Sequence, residues 1–371
     1  MSRDDTAHPE GPSAYPHPTG GDEQAAELEL RHVSKRYPGE GEAAIGDLSF
    51  TVPAGEFCVL VGPSGCGKTT TMRMINRMTS LSGGEILLGG TSVLDRDVRK
   101  LRREIGYVIQ QIGLFPHLTV AENIATVPKL LGWQKERIDA RVQELLRLIG
   151  LEAEGLGGRY PAQLSGGQRQ RVGVARALAA DPPLMLMDEP FGAIDPINRA
   201  NLQDEFLALQ EKVKKTIVFV THDIDEAIKM GDRIAIMRKG GVLEQYGTPE
   251  EILARPASEF VAQFVGADRG IKRLSLTTVA EVPLLESTRH GAEARRVPAS
   301  YSLRDALSIL LTDAGKPLAV LAPAGGGDAD GRLLGFLTLS HLERLIAEES
   351  GREGDGDIAA VPSAAAPEPG A

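Results

Sequence analysis

Gly62-Pro63-Ser64-Gly65-Cys66-Gly67-Lys68-Thr69 fits the phosphate-loop pattern G-x-x-x-x-G-K-[ST] at every fixed position. Before it, Glu56-Phe57-Cys58-Val59-Leu60-Val61 is a short apolar run that reads as a buried strand. After it, Thr70-Thr71-Met72-Arg73-Met74-Ile75 carries no Gly or Pro and reads as a helix. Strand, glycine loop and helix are the context the motif requires. The glycines let backbone N–H groups close around phosphate oxygens, and the helix start adds unpaired N–H groups and partial positive charge, to which Thr70 also belongs. Lys68 is expected to reach the β- and γ-phosphates, and the Thr69 hydroxyl to sit on Mg²⁺. By itself the loop implies only that a nucleoside triphosphate binds here.

The chain has 371 residues, room for roughly two domains of about 150 residues each. Its formal net charge of -10 argues against a sequence-independent nucleic-acid binder, which needs a basic footprint. The two cysteines, Cys58 and Cys66, lie in the strand and the loop and form no disulfide framework or metal spacing. No apolar run approaches the roughly 20 residues of a membrane span, and the N-terminus lacks an apolar signal core. The expectation is a protein that is soluble or held at a membrane by partners.

Residues 1–27 read as a disordered leader and 348–371 as a disordered acidic tail. Between them, strands at 28–33, 45–52, 85–88, 184–187, 216–220 and 233–237 alternate with helices, which predicts a mainly parallel, doubly covered sheet. A helical block is inserted at about 98–183, with Ile138, Val142, Leu145, Leu146 and Ile149 on one face and Gly150 at a helix C-terminus. After Gly266 the texture changes: a capped helix at 302–311 and strands at 318–321 and 333–339 predict a small α+β region.

Two further stretches carry chemistry. Leu184-Met185-Leu186-Met187-Asp188-Glu189 is a buried strand ending in two carboxylates beside the phosphate loop. Asp188 is placed to hold Mg²⁺ and Glu189 to polarise an attacking water; the alternative is a solvated acidic strand end. Leu164-Ser165-Gly166-Gly167-Gln168 sets a serine and two glycines at a helix start, a second anion site. An ordinary N-cap is the alternative, although such a cap does not call for two glycines, which weaken a helix.

The order 62–69, Gln110, 164–168, Asp188-Glu189, Asp195 and His222 resembles the ATP-binding-cassette family over about residues 28–266. The resemblance implies a P-loop ATPase core with an N-terminal antiparallel subsheet and an inserted helical subdomain. It implies ATP with Mg²⁺, and a head-to-tail dimer of two copies. Ser165, Gly166, Gly167 and Gln168 of one copy would then close on the γ-phosphate held by the other. It further assigns Tyr37 to adenine stacking, Gln110 to Mg²⁺ and the attacking water, Asp195 to the loop linking the two sites and His222 to the γ-phosphate. The segment Gly113-Leu114-Phe115-Pro116-His117 resembles the surface that docks a membrane permease.

Three stretches, 72–77, 106–117 and 248–269, resemble more narrowly the ATPase subunits of bacterial importers for glycine betaine, carnitine, choline and related quaternary amines. That implies a peripheral place on the cytoplasmic face of the bacterial plasma membrane, with permease subunits and a separate substrate-binding protein as partners. Residues 297–346, within a region at 267–347, resemble one cystathionine-β-synthase-type repeat, with a remnant of another at 275–285. In Thr338-Leu339-Ser340-His341 a histidine stands where such repeats often carry a ribose-gripping aspartate, which favours a docking or dimerisation appendage over nucleotide sensing. A soluble cassette acting on DNA or ribosomes would need a long coiled coil or a second cassette. A small-molecule kinase or GTPase would lack 164–168. An exporter differs only in its membrane partner.

Overall fold

The computed structural model describes residues 25–39, 41–109, 113–152, 155–192, 194–287, 293–322 and 332–354. Gln110, most of the expected leader and most of the expected tail lie outside these. The chain divides into two compact units, Met1–Thr248 and Pro249–Ala371.

The first unit holds two sheets. Strands β1 (Leu28–Lys35), β2 (Ile45–Val52), β3 (Phe57–Val61), β4 (Gly83–Leu88), β5 (Thr91–Ser92) and β6 (Ile105–Val108) are followed by β7 (Leu184–Asp188), β8 (Thr216–Thr221), β9 (Arg233–Arg238) and β10 (Val242–Gly247). An antiparallel sheet has the order β2-β1-β4-β5, and a six-stranded sheet the order β10-β9-β3-β8-β7-β6. In the larger sheet β6, β7, β8, β3 and β9 run parallel, and only β10 at the edge is antiparallel. Strands β3 and β8 are buried along their whole length, the continuous apolar pattern of a sheet covered on both faces.

Two of these strands depart from the sequence reading. β6 lies inside the stretch expected to be helical throughout. It is four residues long and includes Gly106, where a Cβ would stand 2.8 Å from the Ala177 carbonyl oxygen. β10 was not expected at all. It closes a hairpin with β9 through Gly240 and Gly241, both at positive φ, and every residue but the last is half-buried, so it lacks a clean apolar alternation.

One face of the larger sheet packs on the helix Lys68–Ile75, whose Met72, Met74 and Ile75 join Leu28, Leu30, Leu48, Leu60, Leu186 and Val218 in one core. Elsewhere in the unit Phe57, Phe191, Phe206 and Phe219 form a ring cluster with centroids 5.6–6.3 Å apart. The helix Lys135–Leu148 buries Ile138, Val142, Leu145 and Leu146, and Gly150 at φ 71 ends the turn after it, as its period predicts.

The second unit contains the helices Pro249–Ala254, Glu259–Val265 and Arg269–Arg273 and a three-stranded sheet. In that sheet β11 (Arg295–Pro298) is parallel to β12 (Leu318–Leu321), which is antiparallel to β13 (Leu333–Leu337). The stretch 278–285 packs into the same core: Val279 is fully buried and Leu285 pairs with Phe336. His341 Nε2 lies 2.8 Å from the Pro283 carbonyl oxygen, which joins this stretch to the helix Leu339–Gly354.

Candidate functional site

Strand register assembles the site. Val61 is opposite Thr221 in the β3–β8 pair, and Asp188 is opposite Val220 in the β7–β8 pair. The glycine loop, His222 and the carboxylates Asp188 and Glu189 therefore leave the same carboxyl edge of three adjacent strands. This edge is where open α/β sheets hold ligands.

The loop has the shape of a phosphate cradle. Gly62 needs to be glycine, since at φ 155 a Cβ would fall 2.2 Å from the Met237 carbonyl oxygen. Gly65 at φ 77 has nothing within 4 Å of where a Cβ would be, so its side of the loop is open. Among the described residues, the backbone N–H groups of Gly65, Gly67, Lys68 and Thr69 have no acceptor. Such converging donors at a helix start fit the phosphate chain of a nucleotide. Lys68 is 7% exposed, and its Nζ donates to the carbonyl oxygens of Gly62 at 2.6 Å and Pro63 at 3.1 Å, with Cys66 Sγ at 3.6 Å.

Thr69 Oγ1 donates to Asp188 Oδ1 at 3.3 Å, so the hydroxyl and carboxylate expected to share a cation meet across the edge. Burial pushes the Asp188 carboxyl above the usual carboxylate range and Glu189 adds to the rise, against the Thr69 hydrogen bond and the charges of Arg73 and Lys68. A half-buried carboxylate whose charge is disfavoured by its surroundings fits a site completed by a cation. Among the described residues, no group of three or more His, Cys, Asp or Glu side chains could hold a metal. Thr69 and Asp188 fit Mg²⁺ only together with phosphate oxygens, which matches its habit of few protein ligands.

Glu189 follows Asp188 with φ 43, an unusual conformation for a non-glycine residue. Its N–H donates to the Val220 carbonyl oxygen at 3.0 Å, and its Oε1 lies 3.3 Å from His222 Nδ1. The backbone turn thus swings the carboxylate out of the strand line toward the histidine.

The remaining expected residues lie on other elements. Ser165 caps the helix Gly166–Leu178 with a full capping box: its Oγ accepts from the Gln168 N–H at 3.2 Å, and Gln168 Oε1 accepts from the Ser165 N–H at 2.9 Å. A Cβ on Gly167 would meet Leu202 at 3.3 Å, whereas one on Gly166 would meet nothing within 4 Å. Asp195 caps the helix Pro196–Val213, accepting from the Asn198 N–H at 3.2 Å and the Asn198 amide at 2.8 Å. Tyr37 follows β1, with Lys35 Nζ 4.8 Å above its ring.

Three organising residues were not legible as such. Buried Asn123 donates to the carbonyl oxygens of Phe115, Leu118 and Thr119 and accepts from the Phe115 N–H, so it shapes the loop that presents exposed Phe115. Arg176 donates to the Gly113 carbonyl oxygen at 2.7 Å, and burial lowers its pKa. Glu226 is buried beside Thr221 and accepts from Gln203 at 2.9 Å; burial raises its pKa. The signal in each case is a polar residue on an otherwise apolar helix face.

Similarity to known proteins agrees with this geometry. The ABC transporter family matches residues 45–192. The osmoprotectant import ATP-binding protein OsmV of Salmonella typhimurium is 47% identical over 312 residues, covering 82% of this chain and 81% of that protein. The chain belongs to the ATP-binding-cassette transporter family and is an ATP-binding, transport-coupled ATPase of that class. A second relative is the glycine betaine/carnitine/choline transport ATP-binding protein OpuCA of Bacillus subtilis, 56% identical over 245 residues, which cover 66% of this chain and 64% of that protein. Among solved structures, the dimeric post-hydrolysis state of the cassette MJ0796 bound to ADP and Pi aligns at a TM-score of 0.53 and 35% identity, over 60% of this chain and 98% of that one. Among the described residues, no helix is long and apolar enough to cross a membrane.

Proposed function

We propose that the chain is the ATP-hydrolysing subunit of an importer for quaternary amines such as glycine betaine, carnitine or choline. It would work as a head-to-tail pair of copies at the cytoplasmic face of the membrane, docked on permease subunits that a substrate-binding protein loads. The single observation that carries the paired arrangement is Gly166. It sits at a helix start, where glycine weakens the helix, and open space surrounds the place of its missing Cβ. Nothing among the described residues asks for glycine there. A second molecule approaching closely would.

We infer the residue roles from the family resemblance, with support from the geometry of the glycine loop and the strand ends. The free N–H groups of Gly65, Gly67, Lys68 and Thr69 hold phosphate oxygens, with Ser64, Cys66 and Thr70 completing the loop, and Lys68 turns from its carbonyls to the β- and γ-phosphates. Thr69 and Asp188, with Gln110, would hold Mg²⁺, which would supply positive charge to offset that developing on the phosphates. Glu189 orients and deprotonates the attacking water. His222 holds the Glu189 carboxylate on one side and reaches the γ-phosphate on the other. Tyr37 stacks on the adenine, and Ser165 with its glycines closes the pocket from the partner copy.

The cargo assignment rests on the names borne by the relatives. It is tested by uptake of labelled glycine betaine in a strain lacking this gene, complemented by the wild-type chain or by Glu189→Gln. Restoration by the wild type alone is expected; restoration by neither, with ATPase activity intact in vitro, would move the cargo to another class of solute.

A further inference from the structure

The His222 side chain is 64% exposed, so packing does not hold it. Its place beside Glu189 depends on the backbone to either side. Before it, Thr221 ends β8 and is 2% exposed. After it, the Asp223 N–H donates to the Thr221 hydroxyl oxygen at 3.1 Å. Asp223 Oδ1 in turn accepts from the N–H groups of Asp225 at 2.9 Å and Glu226 at 3.3 Å. The turn that carries the histidine is therefore closed between a strand end and the start of the helix Ile224–Met230.

Glu226 ties this turn to another element. It is 8% exposed, and its carboxylate accepts from the Thr221 hydroxyl and from Gln203 Nε2, the latter at 2.9 Å. Gln203 is 6% exposed and stands four residues after Arg199 on the helix Pro196–Val213, so the two share a face. Arg199 Nη2 donates to the Ile194 carbonyl oxygen at 3.0 Å, directly before Asp195, and the Arg199 charge acts on the Glu226 carboxylate. One carboxylate thus holds both the residue before His222 and the helix that Asp195 caps.

Stability alone does not call for a carboxylate here. Burying a charge is costly, and apolar side chains of similar volume often hold two elements together as well or better. What the carboxylate adds is direction, because its two hydrogen bonds select one placement of the helix against the strand end. We propose that Glu226 is a positioning residue for hydrolysis: by tying Thr221 to the helix after Asp195, it holds His222 in place beside Glu189. The proposal rests on the roles given above to Glu189 and His222.

The test compares the full chain with two variants. Glu226→Leu combined with Gln203→Leu replaces the polar pair by an apolar one, whereas Glu226→Gln keeps a side-chain oxygen for Thr221 and Gln203. In steady-state ATPase assays the apolar pair should lower kcat by about tenfold to a hundredfold, the cost of a small misplacement, and leave KM for ATP near the wild-type value. Glu226→Gln should stay close to wild type in both. All should melt cooperatively; if the leucine pair does not fold, Glu226→Met with Gln203→Met takes its place. In protein carrying ring-labelled histidine, the His222 resonance, assigned through His222→Ala, should move in the apolar pair and keep its position in Glu226→Gln. A contact that only stabilises the fold would move neither kcat nor that resonance. An unmoved His222 resonance, a loss carried by KM, or an equal loss in Glu226→Gln would overturn the proposal. Wild-type kcat in the apolar pair beside a slow His222→Ala would overturn it alone. Wild-type turnover by His222→Ala would remove the role given to His222, and the proposal with it.

Discussion

Glu189 Oε1 lies 3.3 Å from His222 Nδ1, and the two residues leave neighbouring strands whose ends are in register. A carboxylate held this way cannot swing freely, since its backbone is fixed by the Val220 carbonyl and its side chain by the imidazole. Glu189→Gln should therefore bind ATP normally and lose about 10²–10⁴-fold in hydrolysis, the usual worth of a general base. With ATP and Mg²⁺ it should elute as a dimer in size-exclusion chromatography. A variant that turns over at the wild-type rate would remove Glu189 from the role.

Gly166 and Gly167 separate two effects that a double substitution would merge. Gly166→Ala meets no atom and should stabilise the helix start by up to about 1 kcal/mol. If a second copy seats there, the same methyl group should weaken ATP-driven dimerisation. A higher melting temperature with a weaker dimer is the expected pair of readings; an unchanged dimer would leave Gly166 without its proposed reason. Gly167→Ala, pressed on Leu202, should cost stability instead.

Ser165→Arg tests the shared pocket directly. In mixed dimers carrying one altered copy, hydrolysis should fall far below half of wild type while nucleotide binding persists, as steady-state turnover and equilibrium binding will read. Full activity in such mixtures would mean that each copy encloses its own nucleotide.

Asp188 carries a pH signature. Its folded-state pKa is raised by burial, so the folded form binds a proton more tightly than the unfolded one. Stability from this group is present below the unfolded value and is lost as pH rises through the folded value. Asp188→Asn should accordingly raise the nucleotide-free melting temperature at neutral pH, and raise it less at mildly acidic pH. The same change should abolish the extra stabilisation that Mg²⁺ adds to bound ATP.

In the second unit, Ser302 and Asp305 form a capping box at the start of the helix Leu303–Thr312. Ser302→Ala should cost about 1 kcal/mol there. Hydrogen exchange across 303–312 should rise while ATPase activity stays unchanged.

Most of the carboxyl edge of the larger sheet was readable because its residues are tied to local pattern: glycine loop after an apolar strand, acids at a strand end. What resisted reading depends on neighbours remote in sequence. β6 is too short and too glycine-dependent to announce itself, and Gly106 makes sense only beside the Ala177 carbonyl. β10 is a half-buried edge strand without alternation, although Gly240-Gly241 before it was a hairpin signal. The different surroundings of Gly166 and Gly167 are invisible in a string where both are simply glycine. The bond between Gln203 and Glu226 likewise appears only once the helices that carry them are in place.

The ammonium of Lys68, folded onto the Gly62 and Pro63 carbonyls, has a consequence for affinity. Nucleotide arrival is an exchange of partners, and the measured binding strength is the difference between two sets of hydrogen bonds. Truncating this lysine therefore deletes an interaction from the empty state as well as from the filled one. The drop in ATP affinity should be smaller than a bare ammonium–phosphate attraction suggests, and the drop in hydrolysis larger than the drop in affinity.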